Sequence, residues 1–130
     1  MSRILTYVFL LVFAVSIGCT KAIDRSMVVG KYYANHKKAV DSLDLNSDGT
    51  YVYYYKAPDG KEFKNINKWE FEYVEGKPTI TFLQFIFGLP GYGSPKPGFW
   101  SVEVQKTFWR GKLRLCIDPD LGYFYVKEKS

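Results

Sequence analysis

The chain carries few side chains whose type and spacing could do chemistry, and the clearest run of them is acidic. Asp44-x-Asn46-x-Asp48-Gly49 places oxygen atoms at the first, third and fifth positions and glycine at the sixth, as in a calcium-binding loop. Such a loop needs a glutamate at its twelfth position, where this chain has Tyr55. Asp-Gly also supplies the positive φ angles of a tight hairpin turn. We therefore predict a hairpin here and no metal site.

The candidate nucleophiles and bases are equally isolated. His36 is the single histidine, so a metal site or a Ser-His-Asp triad would need partners that the sequence does not place near it. Glu70 and Glu72 share one face of a strand, but paired-carboxylate catalysis needs an enclosed cleft and a raised pKa. We predict no catalytic residue, no cofactor and no enzymatic activity. A thiol-dependent enzyme that uses Cys116 is the alternative.

Aromatic side chains are the main compositional feature, with 10 Phe, 11 Tyr and 3 Trp. Aromatic residues fit the pleated, half-buried surface of a sheet. Tyr51, Tyr53 and Tyr55 should project from one face of a strand, and Val52 and Tyr54 from the other. Because both faces are aromatic, one set packs the core and the other lines a cavity, covers an interface or packs under a loop. The residues expected to contact a ligand or partner are Tyr53, Trp69, Phe71, Leu89, Tyr92 and Trp100.

The N-terminus has the three-part order of an export signal. Arg3 is followed by an apolar stretch over residues 4–17 and by small residues before Cys19. The stretch is shorter than the roughly 20 apolar residues of a membrane-spanning helix. Val15-Ser16-Ile17-Gly18-Cys19 resembles the lipobox of bacterial lipoproteins. The resemblance implies cleavage before Cys19, lipidation of Cys19 and anchoring on a membrane outside the cytoplasm.

The same resemblance has further implications for location. In Gram-negative lipoproteins a residue such as Thr20 after the lipidated cysteine is permissive for the outer membrane, which places the domain in the periplasm. Two alternatives share the leader: cleavage near Ala22 would release a soluble protein, and an uncleaved leader would remain as an anchor. A soluble form would also allow a Cys19–Cys116 disulfide. With Cys19 lipidated, Cys116 has no partner in the chain.

We divide the chain into a signal peptide over residues 1–18, a lipidated tether over 19–27 and a single β domain over 28–130. The whole chain has a net charge of +5, and its lysines are spaced singly apart from Lys37-Lys38. Nucleic-acid binding is therefore not expected, because it requires a dense basic stripe.

Strand and turn signals alternate along the β domain. Turn signals lie at 46–49, 57–60, 75–78, 110–111 and 118–120, and no long window has a helical period. Residues 61–65 and 68–74 are predicted as separate strands, and residues 87–98 as a Gly- and Pro-rich loop. The pattern predicts an all-β domain, a small antiparallel meander barrel of about eight strands. Closure would remove exposed strand edges, and a two-sheet sandwich is the alternative.

Several strand motifs carry a resemblance to small lipocalin-like bacterial lipoproteins. They are Gly30-Lys31-Tyr32, Leu43-x-Leu45, Asp48-Gly49-Thr50-Tyr51 and Lys68-Trp69-Glu70-Phe71. The resemblance implies a lipocalin-like barrel with a non-catalytic role, binding a protein partner or a small apolar ligand. The alternative is an immunity or inhibitor protein that blocks a secreted toxin or hydrolase and uses the loop over 87–98 as a plug.

Overall fold

Turn residues and period-2 alternation determine where the strands of this protein begin and end. The computed structural model describes residues 21–35, 40–86, 97–107, 111–118 and 120–129. Within these residues there is one short helix, α1 (Arg25–Val28), and there are eight strands. The strands are β1 (Gly30–Ala34), β2 (Val40–Leu45), β3 (Thr50–Lys56), β4 (Glu62–Val74), β5 (Lys77–Phe85), β6 (Gly98–Lys106), β7 (Leu113–Asp118) and β8 (Tyr123–Lys127).

Each described strand pairs antiparallel with the next one along the chain, and β1 also pairs with β8. The sheet therefore closes into a barrel, in which every described strand has a paired neighbour on each side. The predicted antiparallel barrel of about eight strands is confirmed. A two-sheet sandwich does not form.

Side chains alternate between the inside and the outside of the barrel wall. In β3 the Tyr51, Tyr53 and Tyr55 side chains are buried inside, whereas Val52 and Tyr54 are half-buried on the outer wall. This alternation follows from the two-residue period of a strand. The set of three tyrosines that the sequence placed on one face is therefore the set that packs the core.

The acidic run at the end of β2 forms a hairpin. The Asn46 amide donates to the Thr50 carbonyl oxygen at 2.9 Å, and Asp48 Oδ1 accepts from both the amide and the hydroxyl of Thr50. Gly49 adopts a φ of 89°, which glycine tolerates without strain. Among the described residues no group of three His, Cys, Asp or Glu side chains is arranged to hold a metal ion.

β4 is one continuous strand, and the prediction of two separate strands over 61–65 and 68–74 is wrong. Its first half pairs with β3, from Glu62 opposite Lys56 to Lys68 opposite Thr50. Its second half pairs with β5, from Trp69 opposite Phe82 onward. β4 therefore continues unbroken, with β3 paired on one side of its first half and β5 paired on the other side of its second half.

β4 and β5 are paired from Trp69 to Val74 but not along the part of β4 that precedes Trp69. Polar side chains bridge this opening. The Tyr51 hydroxyl donates to the Leu83 carbonyl oxygen at 2.8 Å. Asn65 Nδ2 donates to the Gln84 carbonyl oxygen at 3.0 Å, and Asn67 Nδ2 donates to Gln84 Oε1 at 3.1 Å. These bonds satisfy groups that a backbone ladder would otherwise pair.

Candidate functional site

Inward-facing aromatic side chains of the described strands fill the interior of the barrel between them. The Tyr51 ring meets Phe82 edge-on at 5.2 Å, and the Tyr53 ring lies 4.8 Å from Phe85. Trp100 stacks on Phe82 at 5.2 Å with an interplanar angle of 25°. Such offset and edge-to-face ring pairs are the arrangements that aromatic packing favours. Inward-facing rings therefore occupy the space in which a hollow barrel would hold a ligand.

The residues predicted to contact a ligand or partner are distributed between this core and parts of the chain beyond the described residues. Tyr53 and Trp69 are buried in the core, and Phe71 and Trp100 are half-buried and pack against it. Leu89, Tyr92 and the predicted lipidation site Cys19 lie outside the described residues.

Two of the four described members share a neighbour in the core. Tyr53 and Trp100 both contact Phe85, at centroid distances of 4.8 and 4.7 Å. Trp69 lies opposite Phe82 in the pairing of β4 with β5. Its Nε1 donates to the Asn46 carbonyl oxygen at 3.0 Å, and the Arg25 guanidinium lies 4.5 Å from its ring. Tyr53 and Trp100 therefore share Phe85 as a neighbour, and Trp69 borders the same aromatic interior through Phe82.

A buried polar pair that the sequence analysis missed lies inside the barrel. The Asp41 side chain is 3% exposed and accepts a hydrogen bond of 2.6 Å from the Tyr125 hydroxyl. Burial, with smaller contributions from Tyr53 and Asp41, raises the pKa of Tyr125 well above its usual value, so the hydroxyl remains a donor. Asp41 alternates with Leu43 and Leu45, and this spacing was the sequence signal that its carboxylate points inward.

Residues 21–29, here called the strap, lie across one end of the barrel. The Tyr32 hydroxyl donates to the Val28 carbonyl oxygen at 2.7 Å, and Lys127 Nζ donates to the Met27 carbonyl oxygen at 2.6 Å. The Tyr73 hydroxyl bonds the Ile23 carbonyl oxygen. Lys106 Nζ donates to the Lys21 carbonyl oxygen at 3.2 Å. Four strands, β1, β4, β6 and β8, therefore hold the strap.

The strap also packs through its apolar side chains. Val28 is fully buried in the core, and Ile23, Met27 and Val29 pack against it. Asp24 caps α1 by accepting from the Met27 amide. Residues 23–27, which the sequence analysis placed in the tether, thus pack on the barrel. We call this end the strap end and the opposite one, where β1 ends and β2 begins, the far end.

A shallow depression of about 670 Å³ lies beside the strap. Its lining includes Lys112, Lys127, Lys129 and one acidic residue, Glu128. Burial lowers the pKa of Lys127, whose ammonium group is engaged by the strap. The surplus of ammonium groups makes the depression attractive to an anion.

Cys116 lies half-buried on the outside of β7. Burial, with a smaller contribution from Glu103, raises the pKa of its thiol. Since the thiolate is the nucleophilic form, this environment suppresses reactivity. It does not favour a Cys116-based enzyme.

No protein-family model, curated protein or solved structure matches the chain. Within the part of the chain that the structure describes, no helix has the length and apolar character needed to cross a membrane. What the barrel does must be inferred from its own residues.

Proposed function

We propose that this protein is a lipid-anchored lipoprotein of the cell envelope whose barrel has a non-catalytic role and binds a protein partner on its outer surface. The observation that carries the proposal is the filled interior. Small-molecule sites are usually cavities of roughly 300–1,000 Å³. Here buried Tyr51, Tyr53 and Tyr125 rings occupy the barrel, which favours a protein partner over an apolar ligand held inside.

The environments of the reactive groups support a non-catalytic role. The Asp41 carboxylate and the Tyr125 hydroxyl are bonded to each other in the core, where a substrate cannot reach them without opening the barrel. The raised pKa of Cys116 keeps its thiol protonated near neutral pH. These groups therefore serve stability more readily than acid–base or nucleophilic chemistry.

The exposed apolar side chains of the far end support contact with a protein. Val40 is 51% exposed, Phe99 81% and Leu121 59%. Each lies where a strand begins or ends at this end of the barrel. β5 ends and β6 begins here too, so the predicted contact loop over 87–98 is attached at the same end. Exposed apolar side chains around this end therefore supply apolar area for contact with a protein.

The anchor is tested on the protein purified from membranes. Mass spectrometry of its N-terminus should find Cys19 as the first residue, carrying acyl chains. Cys19→Ala should prevent acylation and abolish palmitate labelling, whereas Cys116→Ser should leave both unchanged. A mature chain that starts after Ala22 without a lipid would contradict the anchor.

The partner is tested by photocrosslinking in intact cells. A photoreactive amino acid at Phe99 or Leu121 should form a crosslink to one defined protein. The matched control is the same amino acid at Glu70, which is exposed on the outer wall of β4 in the half of the strand away from the far end. Equal crosslinking from all three positions would contradict a far-end contact.

A parallel measurement separates a protein partner from an apolar ligand. Native mass spectrometry of the purified protein should detect no bound small apolar molecule other than the acyl chains on Cys19. A stoichiometric apolar ligand that is lost on Trp100→Ala would overturn the proposal, because Trp100 belongs to the interior ring cluster.

A further inference from the structure

We propose that the strap end is a docking surface for an anionic membrane, so that the barrel stands on the bilayer with its far end directed away from it. This inference rests on the lipid anchor at Cys19 that the proposed function includes. The partner is the bilayer surface itself, recognised through the phosphate groups of anionic lipids. The strap, the charges around it and the side chains beside it carry the inference.

The position of the strap limits how far the barrel can move from an anchor at Cys19. Ile23 packs against the core and its carbonyl oxygen accepts from Tyr73, so the chain is fixed to the barrel from this residue onward. Three residues lie between Cys19 and Ile23, and extended chain spans at most about 14 Å over these four residue steps. A six-residue strand is about 20 Å long, so the anchor favours contact through the strap end over the far end.

The strap end carries mainly basic side chains. The set considered is the described residues of the strap, of the strand connections at this end with the strand residues that border them, and of the segment after β8. Seven of these residues are basic and four are acidic. The basic ones are Lys21, Arg25, Lys77, Lys106, Lys112, Lys127 and Lys129, and the acidic ones are Asp24, Asp48, Glu75 and Glu128. Lysines close to an anionic bilayer are attracted to it, and this attraction acts within a Debye length of the surface.

Three of these basic side chains line the depression beside the strap. Lys127 is engaged with the Met27 carbonyl oxygen, but Lys129 is exposed and Lys112 is half-buried along the same lining. Both ammonium groups are therefore available to phosphate oxygens. Its concave form suits a lipid headgroup that projects from a bilayer beneath it.

Apolar side chains also lie at this end. Tyr73 is 48% exposed and Val74 is 44% exposed, directly before the turn that joins β4 to β5. Tyrosine is enriched at membrane interfaces because it combines an apolar ring with a polar hydroxyl. Tyr73 and Val74 would enter the headgroup region when the strap end rests on the bilayer.

The orientation is tested with the full lipidated protein in vesicles of phosphatidylethanolamine and phosphatidylglycerol. In a Cys116→Ser background, a fluorophore is attached to Ser47→Cys at the strap end or to Leu121→Cys at the far end, both exposed positions. A quencher is carried on the lipid headgroups. The fluorophore at position 47 should be quenched more strongly than the fluorophore at position 121.

Matched lysine variants test the charge. Replacing Lys77, Lys112 and Lys129 together by glutamine should lower the docked-to-undocked ratio on the order of 100-fold and reduce the difference in quenching. Replacing Lys56, Lys61 and Lys64, at and near the far end, removes the same charge and should leave the difference unchanged. Vesicles of phosphatidylcholine should reproduce the effect of the first variant.

The outcomes separate this inference from the proposed function. Mass spectrometry of the same samples reports whether Cys19 is acylated. An acylated protein with equal quenching at the two positions would overturn the docking surface alone, as would equal effects of the two lysine variants. A protein without acyl chains would overturn the anchor and the proposed function with it.

Discussion

The Tyr125 hydroxyl donates a hydrogen bond of 2.6 Å to the Asp41 carboxylate and thereby joins β8 to β2 across the intervening strand β1. Both side chains are buried. A carboxylate inside a protein is costly unless polar partners compensate for the water it has lost. The bond therefore stabilises the barrel at the point where its first and last strands meet.

Replacing Tyr125 by phenylalanine should lower the free energy of unfolding by about 1.5–3 kcal/mol, the usual range for a hydrogen bond to a charged group. Urea denaturation followed by tryptophan fluorescence measures the change. The control is Tyr54→Phe, which removes a hydroxyl bonded to Glu62 on the outer wall. An exposed bond of this kind should contribute much less, because water replaces the lost partner. Equal losses for the two variants would contradict a special role for the buried bond.

Tyr51 and Asn65 should be energetically coupled, because they bridge the opening between β4 and β5 together. Tyr51 accepts from Asn65 Nδ2 at 3.3 Å and donates to the Leu83 carbonyl oxygen. Tyr51→Phe should destabilise the protein by about 1–3 kcal/mol. In a double-mutant cycle with Asn65→Ala, we expect a coupling energy of about 0.5–1.5 kcal/mol. Additive effects would show that the two side chains act independently.

The sequence was sufficient to predict an antiparallel meander, because its turns and alternating strands depend on local signals, but it did not predict β4 as one unbroken strand. The hairpin at 46–49 follows from Asp48 and Gly49, and the wall of β3 follows from the alternation of residues 50–56. Closure could be anticipated because a meander without exposed edges must close or be covered.

The contents of the barrel and the strap could not be predicted, because both depend on distant contacts. Tyr73 is 50 residues from Ile23 in sequence and Lys127 is 100 residues from Met27, yet these pairs hold the strap. Whether Tyr53 lines a cavity or fills it depends on Phe85 reaching it from another strand. Alternation identifies the inward face but not the space left inside.

The strap should detach more readily when its buried hydrogen bond is removed. Tyr32→Phe leaves the Val28 carbonyl oxygen without the hydroxyl that it accepts from at 2.7 Å. Loss of a buried partner costs about 1–3 kcal/mol, so trypsin cleavage after Arg25 should become about tenfold faster or more. Mass spectrometry of timed digests measures the rate. The neighbouring Tyr33 faces outward, and Tyr33→Phe should leave the rate unchanged. Acceleration in both variants would show that the Tyr32 bond does not specifically hold the strap on the barrel.

The buried tyrosines should make the barrel sensitive to alkali. Burial raises the pKa of Tyr51 to about 12, and burial also raises the pKa values of Tyr32 and Tyr125 above their usual value. Because the unfolded pKa is about 10, this stabilisation is complete below pH 10 and is lost as the pH rises toward and through the folded values. Urea midpoints should therefore fall steeply between about pH 10 and 12. Tyr51→Phe should flatten that slope whereas Tyr33→Phe should not, and a wild-type midpoint independent of pH across this range would contradict burial of these hydroxyls.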